Sequence, residues 1–240
     1  MICSGRISLF WRCSVLSLST VLLMLRGQGL SAQEYKYELG AALGASYYVG
    51  DAVRRGPLGM YSVGGSALGR YNINFRTAFV SSLGYLGLRG HTELSDNAFP
   101  NGRSAAFKTH SLQWMVGGEY NFFPLSDRYR YLQTSSWSPY IGIGGLASLA
   151  WGDASSVIAL GAYLACGIKY MLSSRMSLGV QWQAQYYLSD RLDALDRGNA
   201  WLGNPFALNR GLKGGDAVGM LSLSFTYHIG LRSKDSCYSM

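Results

Sequence analysis

Apolar and polar residues alternate for fourteen positions in the stretch RMSLGVQWQAQYYL, from Arg175 to Leu188. Every second residue from Met176 onward is apolar or aromatic, whereas those between are mostly glycine, serine or glutamine. Successive side chains of a β-strand point to opposite faces, so this pattern predicts one long strand with two different faces. Globular strands usually have about five or six residues, and a strand crossing a bilayer needs about nine to eleven. This stretch is therefore long enough to span a membrane.

Seven further segments alternate in the same way, with differing clarity. Together the eight predicted strands are 35–49, 61–73, 75–88, 106–122, 139–151, 155–172, 175–188 and 217–229. A closed bacterial barrel of one chain has an even number of strands, and closure leaves no unpaired edge in lipid. We therefore predict an all-β protein, an eight-stranded antiparallel transmembrane β-barrel of the outer-membrane type. Side chains fill so narrow a barrel, so no open channel is expected.

A soluble lipocalin-like barrel is the alternative architecture. It would place the bulky and aromatic side chains of each strand inside the barrel and the glycines and glutamines outside. So many large side chains fit the inside of eight strands less well than they fit a lipid-facing surface.

The N-terminus has the features of a secretory signal peptide. Arg6 and Arg12 are followed by an apolar core at 15–25 and by Leu30-Ser31-Ala32 as a cleavage site. The predicted organisation is a signal peptide at 1–32, a barrel at 33–230 and a C-terminal tail at 231–240. Export and the barrel pattern together predict an integral protein of the bacterial outer membrane, with both termini in the periplasm.

Composition excludes several other classes. The 240 residues are 48% hydrophobic and 14% charged, and no run of about eighteen apolar residues follows the N-terminus, which argues against a helical membrane protein. The formal net charge of +8 is spread along the chain rather than clustered, so no nucleic-acid partner is expected. Beyond the signal peptide only Cys166 and Cys237 remain, too few for a disulfide framework or a metal cluster. Cys166 is expected on the lipid face.

Five charged residues are predicted to face the lumen: Glu38, Arg70, Arg76, Glu119 and Lys169. An unpaired buried charge costs several kcal/mol, so opposite charges in a narrow lumen are expected to pair. We interpret this set as structural, which leaves the two rims as the functional surfaces.

Catalytic and metal-binding interpretations are less well supported by the sequence. Ser111 could be a nucleophile, His110 its base and Glu119 the group that holds the base, but adjacent strand residues point to opposite faces. Asp190, Asp193 and Asp196 could supply calcium ligands, yet they lack the glycine and the final glutamate of the known loop pattern. We expect no enzymatic activity, no cofactor and no metal.

Five stretches follow one another over nearly the whole mature chain: YELGAALGASYYVGD, GRYNINFRTAF, EYNFF followed by SPYIGIGG, GIKYMLSSRMSLGVQW and SDRLDALD. In this order they resemble one family, the PorG-like outer-membrane barrels of the type IX secretion system. The resemblance implies a non-enzymatic component that ties an outer-membrane lipoprotein and periplasmic ring proteins of the secretion machinery to the membrane. The sequence departs from the family at Gln181, Gln183 and Gln185, where acidic residues are expected, and in the short loop at 152–155.

One periplasmic turn is longer than closure of the barrel needs. It contains SDRYRY at 126–131, and arginine and tyrosine are enriched at the energetic centres of protein interfaces. We predict a partner-binding segment there: Asp127, Arg128, Tyr129, Arg130 and Tyr131. The alternative is a surface adhesin or ligand-binding barrel that acts through the predicted outer loops at 89–104 and 189–215.

Overall fold

The structure is a computed structural model that describes residues 35–49, 60–92, 104–125, 134–189, 192, 194–197, 199–203 and 216–231. The predicted signal peptide, the tail beyond 231 and the 127–131 segment lie outside the described residues. No helix within these ranges is long and apolar enough to cross a membrane.

Eight strands form one closed sheet. They are β1 (Tyr35–Val49), β2 (Tyr61–Asn72), β3 (Thr77–His91), β4 (Ala106–Asn121), β5 (Trp137–Trp151), β6 (Ser156–Ser173), β7 (Met176–Tyr187) and β8 (Ala217–Leu231). Each strand pairs antiparallel with the next, and β8 pairs with β1 from Tyr35↔Leu231 to Val49↔Ala217. The eight-stranded antiparallel barrel predicted from the alternation is thus confirmed.

The two ends of the barrel differ. One end carries the turns at 73–76 and 174–175 and is called the turn end. The other carries the turn at 152–155 and the connection from β7 to β8, and is called the loop end. A short 3₁₀ turn, Ala200–Gly203, lies within that connection.

The bounds of β1 are as predicted, and those of the other strands differ by at most three residues. The difference matters at Arg76. Asn74 Oδ1 accepts hydrogen bonds from the backbone N–H groups of Arg76 at 2.8 Å and Thr77 at 2.6 Å, which forms an Asx-type turn. Arg76 is exposed in this turn, with Nη1 3.5 Å from the Tyr120 hydroxyl. Its predicted lumen position is wrong, because alternation assigns a face only to residues within a strand.

The barrel has an apolar outside and a polar inside. Val63, Ile158 and Leu43 are 76%, 74% and 70% exposed, whereas Glu38 and Arg70 are 4% exposed. Exposed aromatic residues ring both ends, Tyr37, Tyr71, Tyr120, Trp137, Tyr170 and Tyr227 at the turn end and Tyr61, Tyr85, Trp151, Trp182 and Tyr186 at the loop end. Such girdles around an apolar band are the surface that a bilayer selects. This polarity excludes the lipocalin-like alternative.

Two individual residues further test which face of the sheet the alternation assigns to a side chain. Cys166 is a free, exposed cysteine opposite Trp182 on the outer face, as predicted. The alternation of the predicted strand 35–49 places Tyr35 on the lipid face together with Tyr37, but Tyr35 is buried, with its ring 5.8 Å from that of His228 in the lumen. The end residue of the strand therefore does not follow the alternation of its centre.

Glycines let the wall and the lumen contents approach closely. A Cβ at Gly117 would overlap the carbonyl oxygen of Ile143 and the hydroxyl of Tyr163. The neighbouring Gly118 points outward, and a Cβ there would meet nothing within 4 Å. Adjacent glycines in β4 thus have different structural roles.

We predict that Gly117→Val destabilises the barrel by about 1–3 kcal/mol, because the added methyl groups overpack the lumen against Tyr163. Gly118→Val is the matched control and should leave stability unchanged. Urea unfolding in detergent micelles, together with the heat-dependent mobility of the folded barrel on gels, measures both variants. Equal stability of the two variants would contradict the close packing at Gly117.

Candidate functional site

Four charged side chains from four strands meet in the lumen near the turn end. Arg70 Nε lies 2.9 Å from Glu119 Oε2, and Arg70 Nη1 lies 3.4 Å from Glu38 Oε2. Lys169 Nζ forms a third ion pair, also with Glu119. Two carboxylates and two cations therefore balance within a buried cluster. The structure brings together four of the five residues predicted as lumen charges, all except Arg76.

Polar neighbours complete this cluster. Asn72 Nδ2 donates to Glu38 Oε1 at 2.7 Å, and His228 Nδ1 lies 3.6 Å from the same oxygen. Lys169 Nζ also lies 4.4 Å from the centre of the Tyr140 ring. The attraction within a buried ion pair offsets the cost of removing both charges from water only when further hydrogen bonds satisfy the two partners. The contacts of Asn72, His228 and Tyr140 provide these additional interactions. The cluster crosslinks β1, β2, β4, β6 and β8 through the lumen.

Hydrogen bonds between uncharged side chains fill the middle of the lumen. Gln113 Nε2 donates to Gln185 Oε1 at 2.9 Å, Gln181 Nε2 donates to Gln183 Oε1 at 2.9 Å, and Tyr140 donates to Gln181 at 2.7 Å. Glutamines thus hold each other at positions where the family resemblance implies acids. A cavity of about 40 Å³ lies among these side chains, room for only a few water molecules. The side chains that the structure describes therefore leave little free space at this cavity.

The loop end is closed by residues of the β7–β8 connection. Leu192, Leu195 and Leu202 are buried there. They belong to one hydrophobic cluster with strand residues of the lumen, among them Tyr48 and Phe107. The described part of the predicted 189–215 loop is therefore a cap packed in the mouth of the barrel.

Hydrogen bonds hold this cap in place. Thr109 Oγ1 donates to the carbonyl oxygen of Leu192 at 2.7 Å, and the Leu192 N–H donates to Asp216 Oδ2 at 2.9 Å. Asp196 accepts from the backbone N–H groups of Lys108 at 2.9 Å and Asp153 at 3.0 Å. Sequence reasoning missed the cap, although apolar leucines within a polar connection were its available signal.

The calcium interpretation finds no support in the described residues. Asp196 is engaged by backbone N–H groups, while Asp190 and Asp193 lie outside the described residues. No group of three acidic, histidine or cysteine side chains suited to a metal ion occurs in the ranges that the structure describes.

The proposed catalytic trio is not assembled. His110 lies on the outside with Nδ1 2.6 Å from the Tyr85 hydroxyl, whereas Ser111 points inward and hydrogen-bonds Ser148 at 2.6 Å. Glu119 belongs to the charge cluster near the opposite end.

A different serine approaches a histidine in the lumen. Ser177 Oγ lies 3.3 Å from His228 Nε2, and His228 in turn faces Glu38. Ser177 is buried and bonded to Thr226 Oγ1 at 2.5 Å, and the lumen cavity does not reach it. The arrangement joins β7 and β8 internally.

The base of the long connection between β4 and β5 is fixed at the turn end. The Ser135 N–H donates to the Pro124 carbonyl at 2.9 Å, and the Phe123 N–H donates to Ser138 Oγ at 2.9 Å. The rings of Phe123 and Trp137 pack edge to face with centroids 5.2 Å apart. The predicted binding residues Asp127, Arg128, Tyr129, Arg130 and Tyr131 follow this base and lie outside the described residues.

No family model and no curated protein matches the sequence. Among solved structures, the chain is similar to Neisserial surface protein A, at 16% identity, a TM-score of 0.46, and coverage of 80% of this chain and 97% of that one. It is also similar to the N-terminal β-barrel domain of Pseudomonas aeruginosa OprF, at 15% identity, a TM-score of 0.43 and coverage of 81% and 99%. The outer membrane protein OprG of the same organism has 11% identity, a TM-score of 0.45 and coverage of 82% and 98%. These similarities assign no ligand or partner to this chain.

We predict that Glu119→Gln destabilises the barrel by about 3–5 kcal/mol, because it leaves Arg70 and Lys169 buried opposite a single remaining carboxylate. Urea unfolding in lipid vesicles measures the loss. The double variant Glu119→Gln/Lys169→Met restores the balance of charge and should recover part of it. A loss for Glu119→Gln below about 0.5 kcal/mol, the usual range of a surface substitution, would show that the cluster does not act as a unit.

Proposed function

We propose that the protein is a non-enzymatic anchor in the outer membrane, which docks a lipoprotein and periplasmic ring proteins of a type IX secretion system. The observation that carries this proposal is the closed lumen, filled by the charge cluster and the glutamines. A barrel without a channel has its membrane-spanning wall and its two rims available for function. The family resemblance of the sequence supplies the identity of the partners.

The turn end is the docking rim in this proposal. Three connections meet there, and that between β4 and β5 is much longer than the turns at 73–76 and 174–175. Hydrogen bonds fix the two ends of this connection, at Phe123 and Pro124 and at Ser135 and Ser138, to the turn end of the barrel. Arg128, Arg130 and the neighbouring tyrosines supply charged and aromatic side chains of the kind that dominate protein interfaces.

The turn end would then face the periplasm, together with both chain termini. Short periplasmic turns and longer outer connections are the usual arrangement of these barrels. Two of the three turns at the turn end are short, and the capped connection lies at the other end.

A surface adhesin remains the second candidate. This candidate would use the β7–β8 connection as a binding loop. The described part of that connection is instead packed into the mouth of the barrel by Leu192, Leu195 and Leu202. Those residues are engaged within the barrel, so adhesion would rely on the segments at 93–103 and 204–215. We therefore place docking first.

We predict that Arg128→Ala/Arg130→Ala releases the partners from the barrel. Tagged protein is purified from outer membranes in mild detergent, and co-purifying proteins are identified by mass spectrometry. The wild type should retain a lipoprotein and periplasmic ring proteins, and the double variant should lose them. Arg76→Ala/Arg175→Ala is the matched control, because it removes two exposed arginines from the neighbouring turns of the same rim.

Two results would contradict docking through this segment. One is a barrel that purifies alone in wild-type form, and the other is an equal loss of partners in the control variant. If partners depend instead on residues 93–103, the adhesin candidate gains. A deletion limited to 93–103 makes that comparison without removing the cap.

Cysteine labelling tests the orientation. In a background of Cys166→Ser and Cys237→Ser, single cysteines are introduced as Asp153→Cys at the loop end and Ser174→Cys at the turn end. A maleimide that cannot cross membranes should label Asp153→Cys on intact cells. Ser174→Cys should react only after the outer membrane is permeabilised, and the reverse pattern would overturn the orientation.

A further inference from the structure

The barrel wall opens between β2 and β3 at the loop end. The ladder between these strands begins at Gly64↔Leu86 and runs from there toward the turn end. The flanking ladders extend further, since β1 pairs with β2 as far as Tyr61 and β3 pairs with β4 as far as His91. Three residues of β2 and the facing residues of β3 therefore lie side by side without a ladder.

Ser46 closes the floor of this opening from the lumen side. Its hydroxyl lies 2.7 Å from the carbonyl oxygen of Gly87 and 3.2 Å from that of Ser62, within hydrogen-bonding distance of both. Gly87 lines the opening and adds no side chain to it. The result is a groove of about 310 Å³ on the outer surface, which we call the β2–β3 groove.

The lining of the groove changes along its length. Val63, Tyr61 and Tyr85 provide its apolar and aromatic part, and Arg89 and Lys108 provide two cations. None of the described residues that line it is acidic. Among the residues that the structure describes, neither cation takes part in an ion pair.

The two cations are direct neighbours. Arg89 and Lys108 pair across the β3–β4 ladder, and both side chains are exposed. Like charges directly opposite each other destabilise a sheet. An anion placed between them would remove the repulsion and gain two charge-assisted contacts.

The depth of the cations fits the headgroup region of a bilayer. The ring of His110 packs between Tyr85 and Trp151, with centroid distances of 6.0 and 6.1 Å, as part of the aromatic girdle at the loop end. Arg89 follows Tyr85 by four residues, about 13 Å further along the strand. Aromatic girdles mark the boundary between hydrocarbon and headgroups, so the cations lie beyond the hydrocarbon.

We propose that the β2–β3 groove binds an anionic membrane lipid of the leaflet at the loop end. The headgroup phosphate lies between Arg89 and Lys108, and an acyl chain follows Val63 and Tyr85 toward the middle of the bilayer. Guanidinium matches the geometry of phosphate oxygens, and ammonium adds a second charge. The proposal concerns the opposite end of the barrel from the docking segment and does not depend on it.

Both cations contribute to the affinity. A basic residue near an anionic lipid surface contributes about 1 kcal/mol, equivalent to a fivefold change in affinity. Removal of both should weaken lipid retention about thirty-fold if the contributions add.

Lipid competition in nanodiscs tests the proposal. The full protein is reconstituted in equimolar phosphatidylglycerol and phosphatidylcholine, and the lipids that it retains after release are quantified by native mass spectrometry. The wild type should retain phosphatidylglycerol selectively, and Arg89→Gln/Lys108→Gln should lose that selectivity. Arg76→Gln/Arg175→Gln, with the same change of charge at the turn end, should retain it.

Folded mobility on gels establishes that each variant is a closed barrel. Equal selectivity of Arg89→Gln/Lys108→Gln and wild type would overturn the proposal, and so would an equal loss in the control variant. Inorganic phosphate added during release is a further arm. If free phosphate displaces the lipid as effectively as soluble phosphatidylglycerol does, the groove is an anion site and not a lipid site, which also overturns it.

Discussion

Hydrogen bonding of the backbone in lipid is the constraint on which the rest of this structure depends. Hydrocarbon offers no partner for an N–H or a C=O group, and each unsatisfied group costs several kcal/mol. Closure of β8 onto β1 pairs these groups around the wall, apart from the loop end of the β2–β3 ladder. Once the sheet is closed, its outward-facing side chains must be apolar and its inward-facing side chains must fill a narrow cylinder. Alternation in the sequence is the direct consequence.

The narrow cylinder in turn dictates what the inward residues do. Polar side chains removed from water need partners, and the lumen supplies them in layers. Glu38, Arg70, Glu119 and Lys169 neutralise each other near the turn end, glutamines bond to glutamines in the middle, and the leucines of the cap exclude water at the loop end. A barrel filled in this way is stiff. Its capacity for recognition lies on the rims and the outer wall, where the docking segment and the β2–β3 groove are proposed.

The sequence by itself determined the class of fold and the location of the strands. Alternation with a period of two residues indicates which side chains face lipid, and the length of the strands indicates that they cross a bilayer. The predicted bounds of β1 were therefore correct at both ends, and Cys166 was placed on the correct face. It also identified four of the lumen charges. Arg76 and Tyr35 were misplaced because the signal exists only where the backbone is extended and paired, and it fails at the strand ends.

Only the tertiary structure decided which residues meet. The charge cluster joins Glu38 to Glu119 through Arg70, and no local pattern connects residues so far apart in the chain. The cap depends on Leu192, Leu195 and Leu202 finding the mouth of the barrel, although they occur in a connection that reads as polar. The β2–β3 groove arises where one ladder ends before its neighbours, which brings Arg89 and Lys108 beside Val63. Alternation assigns each side chain to a face, but the register and the closure of the sheet decide its neighbours, because those are set by pairing between distant strands.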